Sequence, residues 1–500
     1  MRALRAVRAA VAGVAPGRHP PPLLSGCIGD SAGAVSSSAL VAPPASSGAA
    51  AFAAGQGGLD GLSRQEVVFL LESSSRGGIT DPQVWRVYAG RAMAEVASCS
   101  PEELCTLLRS LCRAGVAKRS LLNATCKRLR AEVGALPPRL LAQALSDLRR
   151  LRHLDGPLLL ALAGRLAPRL HDFQTFDLPL LLGAFARTAV RDEIRVGEIG
   201  RVLRTRHLQM TPDLVSTSLH SLALLDCGGD GTAQELAATA APRCVADASP
   251  KQLVALAFAL VALDLPQAEL LSFALERLAR QARWGRLGPT EAHSLRIVEH
   301  CVTLPVALRP SMRESLTSDA AAAGRCAKAL SGLAEASEGL AEKAEGEPTT
   351  SKLQRRLARY LDRLDLPGKA EATAGPYVLD FALPTKVAIE VDGYKHFYAF
   401  SRRPTAKTVL KRRVLCAMGW RVVNLPHFEW LPRTQEGKLA YLKEQIEAAT
   451  AAPLATLRRA APAEAEAEGS RPQPRSRNRP AHVPPRAPPT RGAFASGGRR

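Results

Sequence analysis

Asp380, Glu390, Asp392 and His396 lie within one short stretch, VLDFALPTKVAIEVDGYKHF (378–397), and all four can bind metal or move protons. Glu390 and Asp392 are two residues apart in a Val/Ile-rich segment, so as a strand they share one face, while Ile389 and Val391 take the other. If YVLDFAL and KVAIEVDG pair across the turn PTK, Asp380 approaches Glu390 from the neighbouring strand. Three carboxylates on one face repel and desolvate each other unless a cation sits among them. A hard divalent ion such as Mg²⁺, held by Asp380 and Glu390 with water at its open positions, is one solution. A solvated acidic face paired with Lys386, Lys395 or Arg402 is the other, and the residues alone leave both open.

The elements that must position these groups are short. Two strands are followed by a basic amphipathic helix from Thr405, TAKTVLKRRVLCAMG, which Gly419 ends. WRVVNLP reads as a third strand and GKLAYLKEQIEAA as a last helix, giving β-β-α-β-α. On the first helix Lys411, Arg412 and Arg413 can grip phosphate or form a solvated face. Trp420 and Trp430 can stack on bases or pack an edge.

The remainder of the 500 residues is of another kind: 46% hydrophobic, 4% aromatic, and rich in Leu and Ala. SPEELCTLLRSLCRAG, LPPRLLAQALSDLRRL, MTPDLVSTSLHSLALLD and SPKQLVALAFALVALD each start with Pro at a helix N-terminus and continue with apolar residues at three- and four-residue steps. FDLPLLLGAFARTAV is a degenerate copy, and aligned Leu108, Leu145, Phe185, Leu219 and Phe258 are 37, 40, 34 and 39 residues apart. RQEVVFLLE and GPTEAHSLRIVEH are candidate terminal copies. A period in this range predicts stacked helix pairs, an α-solenoid, whose surface can serve as a scaffold or bind single-stranded RNA. The ten Cys include no C-x-x-C pair and read as reduced packing residues. The longest apolar run, Leu253–Leu263, is too short to cross a bilayer.

The formal charge of +21 favours a polyanionic partner. Twelve of those charges fall in acid-free ends, four Arg in residues 1–29 and eight in Gly469–Arg500. The first segment, with Arg2, Arg5 and Arg8 at helical spacing and Ser and Ala after them, has the composition of an organelle transit peptide, mitochondrial in preference to plastid. The last is a Pro/Arg-rich tail unable to pack a core. The expected organisation is therefore leader at 1–60, helical repeats at 61–315, an Ala/Glu/Gly linker at 316–350, the α/β module with a preceding helix at 351–450 (core 377–446), and tail at 451–500.

The run D-F-A-L…I-E-V-D-G-x-x-H-F…T…L-K-R-R-x-L…G-W-R-V-V…E-W, over about Tyr377–Ile446, resembles the RAP domain. Behind weak helical repeats, it is similar to the FAST-kinase-domain and octotricopeptide-repeat families of organellar RNA-binding proteins. The resemblance implies a mostly α chain that reads single-stranded organellar mRNA or rRNA and governs its processing, stability or translation. It implies no membrane partner, and binding that needs no cofactor. Lys395, Lys411, Arg412, Arg413 and Trp420 become its candidate RNA contacts. The RAP module itself resembles the PD-(D/E)XK endonuclease fold, in which Asp380 and Glu390 would hold metal, with Asp392 and His396 as further catalytic residues. The lysine of that family's E-x-K stands here as Asp392, and the nearest lysine is Lys395. The module thus implies RNA held without cutting; the alternatives are a Mg²⁺-dependent endoribonuclease and a non-catalytic adaptor in an organellar ribonucleoprotein.

Overall fold

The computed structural model describes residues 59, 61–153, 155–159, 161, 167–281, 287–341 and 352–452. The leader and the basic tail lie outside the described residues, apart from the edges of the two segments. The chain is mostly helical, with one four-stranded sheet near the C-terminus.

The N-terminal part consists of α1 (Arg64–Arg76), α2 (Pro82–Glu95), α3 (Pro101–Ala114), α4 (Arg119–Glu132), α5 (Pro138–Arg150), α6 (Asp177–Thr188), α7 (Glu193–Thr205), α8 (Pro212–Leu225), α9 (Pro250–Ala262), α10 (Ala268–Arg280), α11 (Pro289–Thr303), α12 (Pro310–Ser318) and α13 (Ala320–Ala341). Helices α1, α3, α5, α6, α8, α9 and α11 stack in order as a single row and begin 35 to 39 residues apart. The two candidate terminal copies, RQEVVFLLE and GPTEAHSLRIVEH, form its first and last members.

Local chemistry repeats with the fold. Ser63, Ser100 and Ser249 close capping boxes with Glu66, Glu103 and Gln252, each cap worth about 1 kcal/mol. Leu104, Leu108 and Leu111 of α3, Leu181, Leu182 and Phe185 of α6, and Leu253, Leu256 and Leu260 of α9 bury the stripe that defines the period. A second rung was not visible beforehand. Arg169, Arg206, Arg243 and Gln281, about one period apart, each donate to a carbonyl of the preceding repeat, at Leu136, Phe173, His207 and Ala248. Cys99, Cys105, Cys126 and Cys301 are buried in this core, and loss of water pushes their thiols up, Cys99 to about 11.

The stretch expected to be a linker departs from that expectation. Residues 320–341 form α13, which packs on α10 and α11 and buries Ala322, Cys326, Leu330 and Leu333. Its weak apolarity misleads because small side chains at steps of three and four are enough to seat a helix closely on a neighbour, and Ala is the best helix former.

After α14 (Lys352–Arg363) the sheet runs β1 (Lys369–Ala374), β2 (Tyr377–Ala382), β3 (Val387–Asp392) and β4 (Arg421–Pro426), with α15 (Ala406–Ala417) crossing from β3 to β4 and α16 (Gln435–Ala451) last. β1, absent from the sequence reading, is the polar-looking KAEATA, an edge strand. β1, β2 and β3 are antiparallel, and β3 and β4 are parallel, as a helical crossover requires. Gly419, at φ +89, closes α15, with its N–H and that of Trp420 turned back to Cys416 and Leu415. One sheet face packs Phe381, Val387 and Ile389 on Leu357 and Leu361 of α14 and Leu442 and Ile446 of α16. On the other face Ala388 joins Leu410 and Val414 of α15 in a core continuous with that of the helix row.

Leu330→Ala and Leu333→Ala should each cost about 2–5 kcal/mol in urea unfolding, as buried leucines do. Losses below about 0.5 kcal/mol, the usual surface effect, would return 316–350 to the status of a linker.

Candidate nucleic-acid interface

β2, β3 and α15 bring the opening residues together. Phe381 lies opposite Ile389, so Asp380 and Glu390 come side by side at the next register step. Asp380 Oδ2 accepts the Val391 N–H at 2.7 Å. Glu390 is buried, and its Oε2 meets Lys411 Nζ from α15 at 2.6 Å. Lys411 also donates to the Val378 carbonyl at 2.9 Å. Asp392, also buried, receives His396 Nδ1 at 3.0 Å and Asn424 Nδ2 at 2.6 Å.

Burial raises the Glu390 carboxyl to about 7 against the pull of Lys411, with Asp380 and Asp392 adding to the rise. The bond to Asp392 raises His396 in spite of its partial burial. The acidic face is thus partnered by Lys411 and not by Lys386, Lys395 or Arg402. Strand periodicity cannot show this, because the lysine comes from a helix 21 residues away.

This arrangement does not fit the divalent ion considered at Asp380 and Glu390. Lys411 Nζ holds the place on Glu390 that such an ion would take, and the Asp380 oxygen faces a backbone N–H. Among the described residues no three His, Cys, Asp or Glu side chains are grouped to hold a metal.

The candidate RNA contacts divide. Arg413 is 7% exposed and faces the helix row beside Cys301 and Tyr377, so it cannot grip phosphate. The helix turns a residue through roughly 100°, so three consecutive basic residues cannot share one outlook. Lys411 is engaged with Glu390. Trp420 is half-buried against the shared core, and Trp430 is buried edge-on to Tyr360. Arg412 lines a cavity of about 450 Å³ with Asp392 and Asn424. Lys395 alone among them is exposed at the junction between the sheet module and the helix row.

That junction is tightly built. Arg403 Nη2 meets Asp226 Oδ2 at 2.9 Å, and Tyr398 Oη donates to the Leu224 carbonyl at 2.9 Å. The Ala399 N–H donates to the Ala189 carbonyl at 2.7 Å. Arg296 donates to the carbonyl of Gly375, whose φ of +57 makes the β1–β2 turn. A Cβ at Gly375 would stand 2.7 Å from His300 Nε2. Beside these contacts opens a groove lined by Arg187, Tyr394, Lys395, Phe400, Arg402 and Phe428. Tyr394 is 77% and Phe400 56% exposed. The Tyr394 ring lies 3.8 Å from that of His427, and the Arg402 guanidinium 4.9 Å from that of Phe428. Tyr394, Phe400 and Arg402 were missed as contacts, although YKHFYAFSRR shows the interleaving of rings and cations that marks a stacking surface. No local signal marks Arg187, which a helical repeat supplies.

Residues 389–445 match the sequence model of the RAP domain. The chain carries a RAP domain. A 37% identity over 82 residues links it to a rice RAP domain-containing protein, chloroplastic, covering 16% of this chain and 13% of the relative. A 44% identity over 64 residues links it to mouse FAST kinase domain-containing protein 5, mitochondrial, covering 12% of this chain and 8% of the relative. The matches span a small part of either relative's length.

Glu390 and His396 give the RAP domain a pH signature. Each has a folded pKa above its unfolded value, so each contributes stability at low pH that is lost as pH rises. For Glu390 the loss runs from 4.5 to about 7, and for His396 it begins near 6.5. Between pH 5 and 8 the melting temperature of Glu390→Gln should fall less steeply than that of the wild type. Parallel profiles would show that Glu390 is not buried as described.

Proposed function

We propose that this protein binds single-stranded organellar RNA and acts in its processing, stability or translation, with the helical repeats reading the strand and the RAP domain holding it. The observation that carries this is the groove at their junction, where exposed Tyr394 and Phe400 stand among Arg187, Lys395 and Arg402. Exposed rings offer faces to bases of any sequence, and cations beside them follow the phosphates. Phe400 holds φ +62, a conformation that costs a bulky residue on the order of 1–3 kcal/mol, and the far edge of its ring lies over Gly156.

The RAP match and the naming of one similar protein as mitochondrial and another as chloroplastic support the organellar assignment. The acid-free segment with Arg2, Arg5 and Arg8 supports mitochondria as the destination. A reporter fused behind residues 1–55 should enter mitochondria; retention in the cytosol or entry into plastids would overturn that placement.

The full chain should bind mixed-sequence single-stranded RNA in an anisotropy titration. Tyr394→Ala with Phe400→Ala should weaken it about 10- to 100-fold, the loss of one or two stacked bases. With Mg²⁺ the RNA should keep its length. An unchanged affinity in the double variant would remove the groove from the reading. Cleavage lost in both Asp380→Asn and Glu390→Gln would replace holding by endoribonuclease action.

A further inference from the structure

Next to the aromatic groove, and sharing Arg187, Lys395 and Tyr398 with it, lies a second cleft of about 630 Å³ between the helix row and the start of α15. Its walls carry Arg149 from α5, Arg187 from α6, Lys251 from α9, Lys395 from the turn after β3 and Lys407 from the first turn of α15. A single carboxylate, Asp213, faces these five cations. Asp213 accepts from Gln252 Nε2 at 3.3 Å, and Lys251 stands 3.9 Å from Glu291, outside the cleft's own lining.

The side chains of Arg149, Arg187, Lys395 and Lys407 have no hydrogen-bond or ion-pair partner among the described residues. They come from four separate elements, so no local sequence preference gathers them. Stacking of α5 on α6 brings Arg149 beside Arg187, and the docking of the RAP domain adds Lys395 and Lys407.

The cost of this gathering is visible on Arg149, Lys407 and His220. Loss of water lowers Arg149, and Arg187 lowers it further. Lys407 is held down by the same two causes. His220, on α8 in the same wall, is pushed down to about 4 by burial and then by Lys407 and Arg187, so it is neutral at physiological pH. Like charges gathered without partners repel one another, and such arrangements mark sites for a ligand of opposite sign. The N-terminus of α15 adds positive potential from its backbone, with Thr405 and Lys407 on the cleft wall.

We infer that this cleft is a phosphate-binding site in which Arg149, Arg187 and Lys407 hold the anion and Lys395 guards its mouth. The favoured source is a phosphate of single-stranded RNA, because Arg187 and Lys395 continue into the groove where Tyr394 and Phe400 take bases. To that extent the source rests on the proposed function. A free nucleotide offers the same chemistry without the strand. Arginine suits the role by its planar fork, and lysine as a point charge.

The test uses the full chain and its Arg187→Gln/Lys407→Gln variant. Pyrophosphate should raise the melting temperature of the wild type by several degrees and leave the variant unmoved. In the absence of anion the variant should melt at or above the wild type, since repulsion has been removed. A merely structural role for these cations predicts a lower melting temperature instead. With single-stranded RNA the variant should lose about 1.4 from the slope of log affinity against log salt, about 0.7 for each phosphate contact removed. Equal pyrophosphate responses and equal salt slopes in the two proteins would overturn the site while leaving RNA binding through the aromatic groove intact. Stabilisation of the wild type by pyrophosphate and AMP, with no RNA affinity in either protein, would keep the site and assign it to nucleotides, and the RNA reading would fail separately. Single Arg149→Gln guards against misfolding of the double variant: it should reduce the pyrophosphate response on its own, and full retention would count against the site.

Discussion

The seating of the 397–406 loop on the ends of the repeat helices is the constraint on which the rest depends. Tyr398 is buried there, donating to the Leu224 carbonyl and accepting from the Ala406 N–H at 3.0 Å, so one hydroxyl ties a repeat to the first turn of α15. Arg403 closes on Asp226, which also receives Arg309 at 3.0 Å. Asp226 and Ala189 follow α8 and α6 in the left-handed conformation that also ends α3 at Gly115, with φ of +52 and +51. The solenoid thus offers its docking groups at the points where its own period requires a helix to stop. Without this seating, Arg187 and Lys407 would belong to separate surfaces and neither cleft would exist.

The same seating explains why the carboxylate cluster is inward and quiet. α15 is pressed between the sheet and the helix row, so it must bury whatever its inner faces carry. Lys411 finds Glu390, whereas Arg413 is buried with its Nε and Nη2 lacking direct protein partners among the described residues. Burying an ion pair is close to neutral in energy at best, but removing one partner from it is costly. The Glu390–Lys411 pair therefore fixes how α15 lies on the sheet more than it stabilises the domain. Glu390 in this way acts as a positioning device, anchoring the helix whose first turn borders the cleft.

Legibility followed the range of the interactions. The repeat row was readable because one leucine stripe recurs in every copy, and the strands because Val and Ile alternate with Asp and Glu. β1 was missed because KAEATA lies at an edge, where partial burial asks little of side chains. α13 was missed because alanine packing leaves a faint pattern. Asp380, Glu390, Asp392 and His396 could be brought near each other from strand geometry alone, but their partners, Lys411 and Asn424, come from other elements and needed the topology. Arg149, Arg187 and Lys407 are the extreme case: three cations more than 200 residues apart at their limits, each unremarkable in its own helix.

What the fold does with its excess charge follows from this. Much of the +21 lies in the two ends, and there it acts as a diffuse field that attracts any polyanion. Arg149, Arg187, Lys395 and Lys407 are different, because the protein gathers them around one cleft, where Arg149 is half-buried. A diffuse field raises the rate of encounter; cations gathered around a cleft add geometry to that attraction. In the proposed RNA complex, rings on one side and cations on the other set a direction across the junction, with bases toward Tyr394 and Phe400 and phosphate toward Arg149. A strand lying in that direction would run from the RAP domain onto the face of the repeats.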